Sequence, residues 1–301
     1  MDVLVTGANG TVGTAITDHL DDERYDFTLL DTEDRDGPGE TVVADVRDYD
    51  AIRPHFDGQD ALVHLALIPG TGGPDSRKIG WSEPLADNLE GIHNVYEAAI
   101  DADLDSILFA SSNHAVGMVE VRNAPAIYHD EGARADHTEP HRPDSRYGLT
   151  KSYGEDLGRL AAEAHDVRFY GLRIGAVLDP EYDHPYGYAE RGVDRGDWER
   201  GSDEYDERVA RLKGIWQSRR DLAHMIECCL RDDSVEWDHF YGVSANDRRW
   251  LDDLDHAGAR LGGNWPVGPL ARSDEIGAER VVRECIATAA PMGIVRLSST
   301  T

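Results

Sequence analysis

A tyrosine and a lysine stand four residues apart in the stretch Tyr147-Gly148-Leu149-Thr150-Lys151. On a helix, residues four apart share one face, so phenol and ammonium can enter one site. A free phenol titrates at about 10, too high for a base near neutral pH. A cation held beside it stabilises the phenolate and lowers that value. The pair is then a general base, worth roughly 10²–10⁴-fold in rate. The bland alternative is a solvated helix pair. Two features favour chemistry. The chain has only three lysines, Lys78, Lys151 and Lys213. It also carries the parts of a dinucleotide site at its start.

Stepping along the chain, Asp2 to Thr6 is a short apolar run that leads into Gly7-Ala8-Asn9-Gly10-Thr11-Val12-Gly13, and Val12 to Leu20 has the pattern of a helix. Strand, glycine-rich turn and helix together make a phosphate cradle. Glycines let the backbone approach a pyrophosphate, and the helix N-terminus supplies N–H donors and partial positive charge. The run Phe27 to Leu30 ends in Asp31, at the end of a second strand, where a carboxylate accepts from ribose hydroxyls and repels a 2′-phosphate. That favours NAD, with NADP the alternative because Arg35 follows closely. Further strands are expected at Thr41 to Ala44, ending in Asp45-Val46, at Ala61 to Ala66, at Ser106 to Ala110, at Val167 to Leu172 and at Asp238 to Val243. Helices are expected at Leu85 to Ile100, with Asn88 in its early part, and at Arg219 to Leu230. Alternating strands and helices behind a glycine-rich first turn imply an α/β fold, a Rossmann-like doubly wound parallel sheet, with ligands beyond the strand C-termini. Residues 1–180 form its dinucleotide-binding core. Residues 181–301 form a small C-terminal substrate-binding lobe and cap, and the segment at about 215–245 returns to the core. Ser112, Asn113 and His114 follow the fifth strand and fall at the ligand edge.

Composition narrows the function classes. The 301 residues carry 59 Asp+Glu against 30 Lys+Arg, a formal net charge of -29. The acids are spread along the chain and lysine is scarce, which resembles proteins of salt-accumulating halophiles. A nucleic-acid partner is disfavoured, since a basic footprint is missing. Three cysteines, Cys228, Cys229 and Cys285, show neither zinc spacing nor a disulfide framework. His129, His137 and His141 are too irregularly spaced for a metal site, so no metal is expected. No apolar run reaches membrane-spanning length, and the chain opens directly into a strand, so a cytoplasmic protein is expected.

In combination these motifs resemble the extended and atypical short-chain dehydrogenases/reductases, the NAD-dependent epimerase/dehydratase superfamily. The match is carried by Thr6-Gly7-Ala8-Asn9-Gly10-Thr11-Val12-Gly13, Asp31, Asp45-Val46, His64-Leu65-Ala66, Asn88, Ser112, Tyr147 and Lys151. The resemblance implies that Tyr147 is the base, that Lys151 lowers its pKa and holds the nicotinamide ribose, and that Ser112 orients the substrate oxygen. It also implies that Asp45 and Val46 flank the adenine, that Leu65, Ala66 and Asn88 line the cofactor, and that Ile174 in Arg173-Ile174-Gly175 passes the nicotinamide. Ser111-Ser112-Asn113-His114 and Ser244-Ala245-Asn246-Asp247 are similar to uronate dehydrogenases and to halophilic NAD-dependent glucose-6-phosphate dehydrogenases. So is Arg211 placed five residues before Trp216, where the resemblance implies an arginine for a substrate carboxylate. The chain departs from the uronate pattern at Pro69, at Ala176 and in an apparent insertion over residues 181 to 210. Uronate, sugar phosphate and neutral aldose all stay open. The expected activity is oxidation of a cyclic sugar at C1, with Ser112, Asn113, His114 and Arg211 on the substrate. A nucleotide-sugar epimerase or dehydratase is the alternative, and a dinucleotide-binding regulator without chemistry a more distant one. A homo-oligomer is expected from the family's habit of pairing its two long helices.

Overall fold

A computed structural model describes residues 1–20, 23–35, 40–68, 77, 80–129, 134–246, 248–251 and 254–261. Seven parallel strands form one sheet in the order β3-β2-β1-β4-β5-β6-β7. They are β1 (Asp2–Thr6), β2 (Asp26–Asp31), β3 (Thr41–Val43), β4 (Ala61–His64), β5 (Ser106–Ser112), β6 (Arg168–Ile174) and β7 (Trp237–Gly242). The helices are α1 (Thr11–His19), α2 (Tyr49–Ile52), α3 (Glu83–Asp101), α4 (Met118–Asn123), α5 (Arg146–Ala164), α6 (Gly187–Arg195), α7 (Asp203–Ile215), α8 (Arg219–Arg231) and α9 (Leu254–Arg260). The doubly wound, Rossmann-like sheet expected from the sequence is therefore present. The order turns back at β1, and β4 continues from it on the other side, which opens a crevice above their C-terminal ends.

Alternation along the strands divides the core. Val3 and Val5 of β1 face one side with Ala15 and Ile16 of α1 and Leu222, Met225 and Ile226 of α8. Leu4, between them, faces the other side with Ile92, Val95 and Tyr96 of α3 and Ala161 and Ala162 of α5. Both faces are covered, so the strands read as nearly continuous apolar runs. Each buried large aliphatic side chain contributes about 1.5–3 kcal/mol. A third cluster lies beyond the strand ends and joins Val116, Val119, Leu212, Ile215, Trp216, Tyr241 and Trp250. The segment 181–210 is not a plain loop. It folds into α6 and the first turns of α7, closed by Gly196 at φ 76° after α6 and by the Ser202 side chain, which accepts from the Tyr205 amide at the start of α7.

Helix α5 is pressed close onto the sheet. Its Ser145 cap accepts from the Gly148 amide at 3.0 Å. A Cβ on Gly154 would stand 2.4 Å from the Phe109 ring, and one on Gly158 2.0 Å from the Phe169 ring, so these positions set the distance between α5 and β5–β6. That close packing delivers Tyr147 and Lys151 to the end of β5. Among the described residues, no helix is long and apolar enough to cross a membrane, and no cluster of His, Cys, Asp and Glu has metal-binding geometry. Cys228 and Cys229 are buried in α8 and are not joined in a disulfide. Lys78, Pro69, Asp247 and Cys285 lie outside the described residues.

Candidate functional site

A groove of about 670 Å³ runs over the C-terminal ends of β1, β2 and β4. Gly7, Asn9, Gly10, Asp31, Asp45, Val46, Leu65 and Ala66 all line it, together with Asp34, Arg35 and Ile68. Gly7 has φ 72°, and a Cβ there would meet the Ala66 backbone nitrogen at 2.6 Å. Only glycine satisfies both conditions. The N-terminus of α1 opens on the same turn, and Gly10 at its cap brings no side chain to its amides. Those donors are left for an anion. Asp31 accepts from the Asn9 amide at 2.9 Å and the Thr32 amide at 2.7 Å, so its carboxylate is held at the groove wall. The residues present fit a dinucleotide: amides for the pyrophosphate, a fixed acid for the ribose and an apolar wall for the base.

The other predicted cofactor residues stand around the groove. The Thr11 hydroxyl donates to Asp179 at 2.9 Å, and Val12 packs on the α1–α8 core. Asn88 is bound to the chain leaving β4: it accepts from the Ile68 amide at 2.8 Å and donates to the Ile68 carbonyl at 2.9 Å. It therefore shapes the wall that Leu65 and Ala66 form. Ile174 pairs with Ser112 across β5–β6, which places it at the C-terminal end of the sheet beside Ser112. Asp45 is bound by Arg47 at 2.6 Å and is held below the usual carboxylate range by that partner.

Strand β5 stands next to β4, whose end walls the groove, and Ser112, Tyr147 and Lys151 stand at the end of β5. Ser112 ends β5, and its hydroxyl accepts from the His114 amide at 3.2 Å. A hydrogen bond from Ser112 pulls the Tyr147 pKa down, but burial wins and holds the phenol above its ordinary value. Lys151 is 3% exposed, with its Nζ 4.9 Å from the centre of the Phe109 ring and 5.5 Å from that of Tyr147. Burial pushes its ammonium down to about 8, while Glu155 pulls the other way. The sequence led us to expect a phenol lowered by Lys151. The structure gives a different order: burial raises the tyrosine and lowers the lysine.

His114 lies beside Tyr147, ring centres 5.5 Å apart and nearly perpendicular. Its Nδ1 shares a hydrogen bond with Asp144 at 2.8 Å, and Asp144 also accepts from Ser145 at 2.7 Å. Asn113 is buried, and its side-chain Nδ2 has no hydrogen-bond partner. Arg211 is committed elsewhere. Its Nε donates to Glu120 at 2.6 Å and its Nη2 at 3.2 Å, and the Tyr128 hydroxyl donates to the same carboxylate at 2.7 Å. Tyr188 is near enough to both Tyr147 and Arg211 to raise the pKa of each slightly. Sequence reading missed Asp144, Glu120, Tyr188 and Glu155. Glu155 alone carried a local signal, standing one helical turn beyond Lys151. The others meet the site only through tertiary folding.

The sequence profile of the NAD dependent epimerase/dehydratase family matches residues 3–193. The chain belongs to this family. A relative from Haloferax volcanii, described as an NAD-dependent glucose-6-phosphate dehydrogenase, is 37% identical over 271 residues, covering 86% of this chain and 91% of its own. A second Haloferax volcanii protein, an L-arabinose 1-dehydrogenase (NAD(P)(+)), is 34% identical, covering 83% of this chain and 90% of its own. Among solved structures, a mutant uronate dehydrogenase from Agrobacterium tumefaciens complexed with NAD superposes with a TM-score of 0.68 at 26% identity, covering 97% of this chain and 91% of its own. The relatives are NAD-dependent sugar dehydrogenases, and the family's cofactor, NAD, matches the groove described above.

Proposed function

We propose that this protein oxidises a cyclic sugar at C1, giving the lactone and NADH. The observation that carries the reading is the convergence of Ser112, Tyr147 and Lys151 at the end of β5, the strand next to β4, whose end walls the dinucleotide groove. Gly7, Asn9, Gly10, Thr11 and Val12 would hold the pyrophosphate, Asp31 the adenosine ribose, Asp45 and Val46 the adenine, and Lys151 the nicotinamide ribose. Bound NAD supplies the hydride acceptor. Tyr147 takes the proton from the C1 hydroxyl as the C1 hydride departs, and the C1–O bond becomes a carbonyl. Ser112 and the unpartnered Asn113 amide hold that oxygen as charge develops. His114, fixed by Asp144, presents its ring to the sugar. Lys151 keeps a positive charge beside the phenolate.

Arg211 supports a narrower reading of the substrate. A guanidinium already held by a buried carboxylate is poorly placed to take a second anion, so the region next to α4 and α7 suits an uncharged part of the sugar. Residues 181–301 are proposed as the substrate side and cap of an integrated domain. We also propose a halophilic, cytoplasmic protein, on the charge of -29 and the Haloferax relatives. A homo-oligomer is supported by α3 and α5, which pack together, and by Leu149 and Leu160, exposed on α5.

The test is NADH formation in high salt with glucuronate, galacturonate, glucose 6-phosphate, arabinose, xylose and galactose. Turnover of one group with a lactone product supports the reading. No turnover with any of them, in NAD or NADP, overturns it in favour of an epimerase or dehydratase.

A further inference from the structure

Glu155 lies one helical turn beyond Lys151 and is 5% exposed. Its carboxylate receives Arg173 Nε at 3.0 and 3.1 Å, Arg173 Nη2 at 2.8 Å, the Ser111 hydroxyl, and His141 Nε2 at 2.7 Å. Arg173, 1% exposed, also donates to the Tyr241 hydroxyl at 3.1 Å, and Tyr241 donates to the Asp136 carbonyl at 3.2 Å. One carboxylate thus ties α5 to β5, β6, β7 and the loop before α5. Two of its partners directly precede site residues: Ser111 precedes Ser112, and Arg173 precedes Ile174. Stability alone does not call for this pair, because a buried ion pair is commonly no better than well-packed apolar groups.

What Glu155 itself provides is a negative charge on the helix face that carries Lys151. Among the described residues no carboxylate reaches ion-pairing distance of Lys151, whose ammonium rests on the Phe109 and Tyr147 rings. We propose that Glu155 is a positioning residue for the reaction, the buried counter-charge that keeps Lys151 an ammonium beside Tyr147. The inference rests on the Tyr147–Lys151 base described above. Facing Lys151 are Tyr147 and Glu155 from its own helix and His64 from β4, which burial keeps neutral. Facing Glu155 are Arg173 from β6, His239 from β7, His141 from the loop and Tyr96 from α3. Glu155→Gln removes the negative charge and leaves Arg173 as an uncompensated cation. That single change of local charge favours loss of the Lys151 proton.

The chain's three lysines make the test direct. Protein labelled with ¹³C at lysine Cε gives few resonances, and Lys151→Arg assigns the one that matters. In Glu155→Gln the Lys151 titration is expected to move down by about one pH unit. In the double variant Glu155→Leu with Arg173→Met, which refills the site with apolar groups, it moves the same way by less. In His141→Gln, where Arg173 still holds Glu155 ionised, it stays. If Glu155→Gln does not fold, the double variant decides. An unmoved Lys151 in a folded Glu155 variant overturns the proposal, whatever the activity. On an active sugar, the alkaline limb of kcat/KM follows the same shift. A wild-type protein that oxidises no sugar overturns the proposed function and leaves this titration to be judged by itself.

Discussion

The cofactor side and the substrate side of this molecule are built from different materials. The cofactor groove relies on backbone: a Gly7 turn pressed on Ala66, the amides at the start of α1, and an acid, Asp31, held by two more amides. The proposed substrate side is made of side chains that hold one another: Arg211 on Glu120, His114 on Asp144, Tyr128 on Glu120. Backbone sites tolerate few alternatives, because their geometry is set by local sterics. Side-chain networks change specificity with one substitution.

The largest test of that contrast is chemical. Tyr147→Phe should lower kcat by roughly 10³-fold while NAD affinity, measured calorimetrically, stays within about threefold. A loss of NAD binding instead would place Tyr147 on the cofactor side. Next is Gly7→Ala. It meets backbone at 2.6 Å and needs φ 72°, so NAD binding should weaken on the order of 10–100-fold and the melting temperature should fall. An unchanged Kd would show that the turn does not set the groove. On the other side, Glu120→Gln frees Arg211. The KM for uronates should drop on the order of 10-fold with little change for neutral sugars, and equal changes for both would remove Arg211 from the specificity account.

The smallest effect is on stability. His64 is buried against Phe109, shares a hydrogen bond with Thr6 at 2.7 Å, and is pushed down to about 3 by burial, with Lys151 adding to the effect. Its folded pKa lies below the unfolded one. From about pH 6.5 downward the unfolded chain takes up a proton that the folded chain refuses until about 3. Stability then falls with pH by up to about 1.4 kcal/mol per unit. Denaturant midpoints across that window should fall less steeply in His64→Asn, and identical slopes would assign the acid sensitivity elsewhere.

The same contrast explains what could be read before folding. The glycine turn, Asp31 and the Tyr147–Lys151 spacing are local patterns, and each landed where expected, with strand and helix ends differing by only a residue or two. Residues 181 to 210 were harder. Their glycines, tyrosines and acids suggested a loop, yet α6 and α7 form because Ser202 caps one helix and Gly196 closes the other. Arg211 was the clearest miss of partnership. Its spacing to Trp216 was visible, but Glu120 is 91 residues away and nothing along the chain pairs them. Glu155 was within reach, since the helical period that singled out Lys151 also passes through it.

The first helix has one further property. Arg219 donates to the Thr11 carbonyl at 2.9 Å, the Thr14 hydroxyl at 3.2 Å and the Asp18 carboxylate at 2.7 Å, while Thr11 itself donates to Asp179. Arg219 stands 208 residues after Thr11, so the clamps that hold this helix are synthesised long after the glycine turn. Until then the nascent chain carries a phosphate-binding turn without its brace. Competence to hold the dinucleotide therefore arrives late, with α8, rather than with the βα unit that displays the motif.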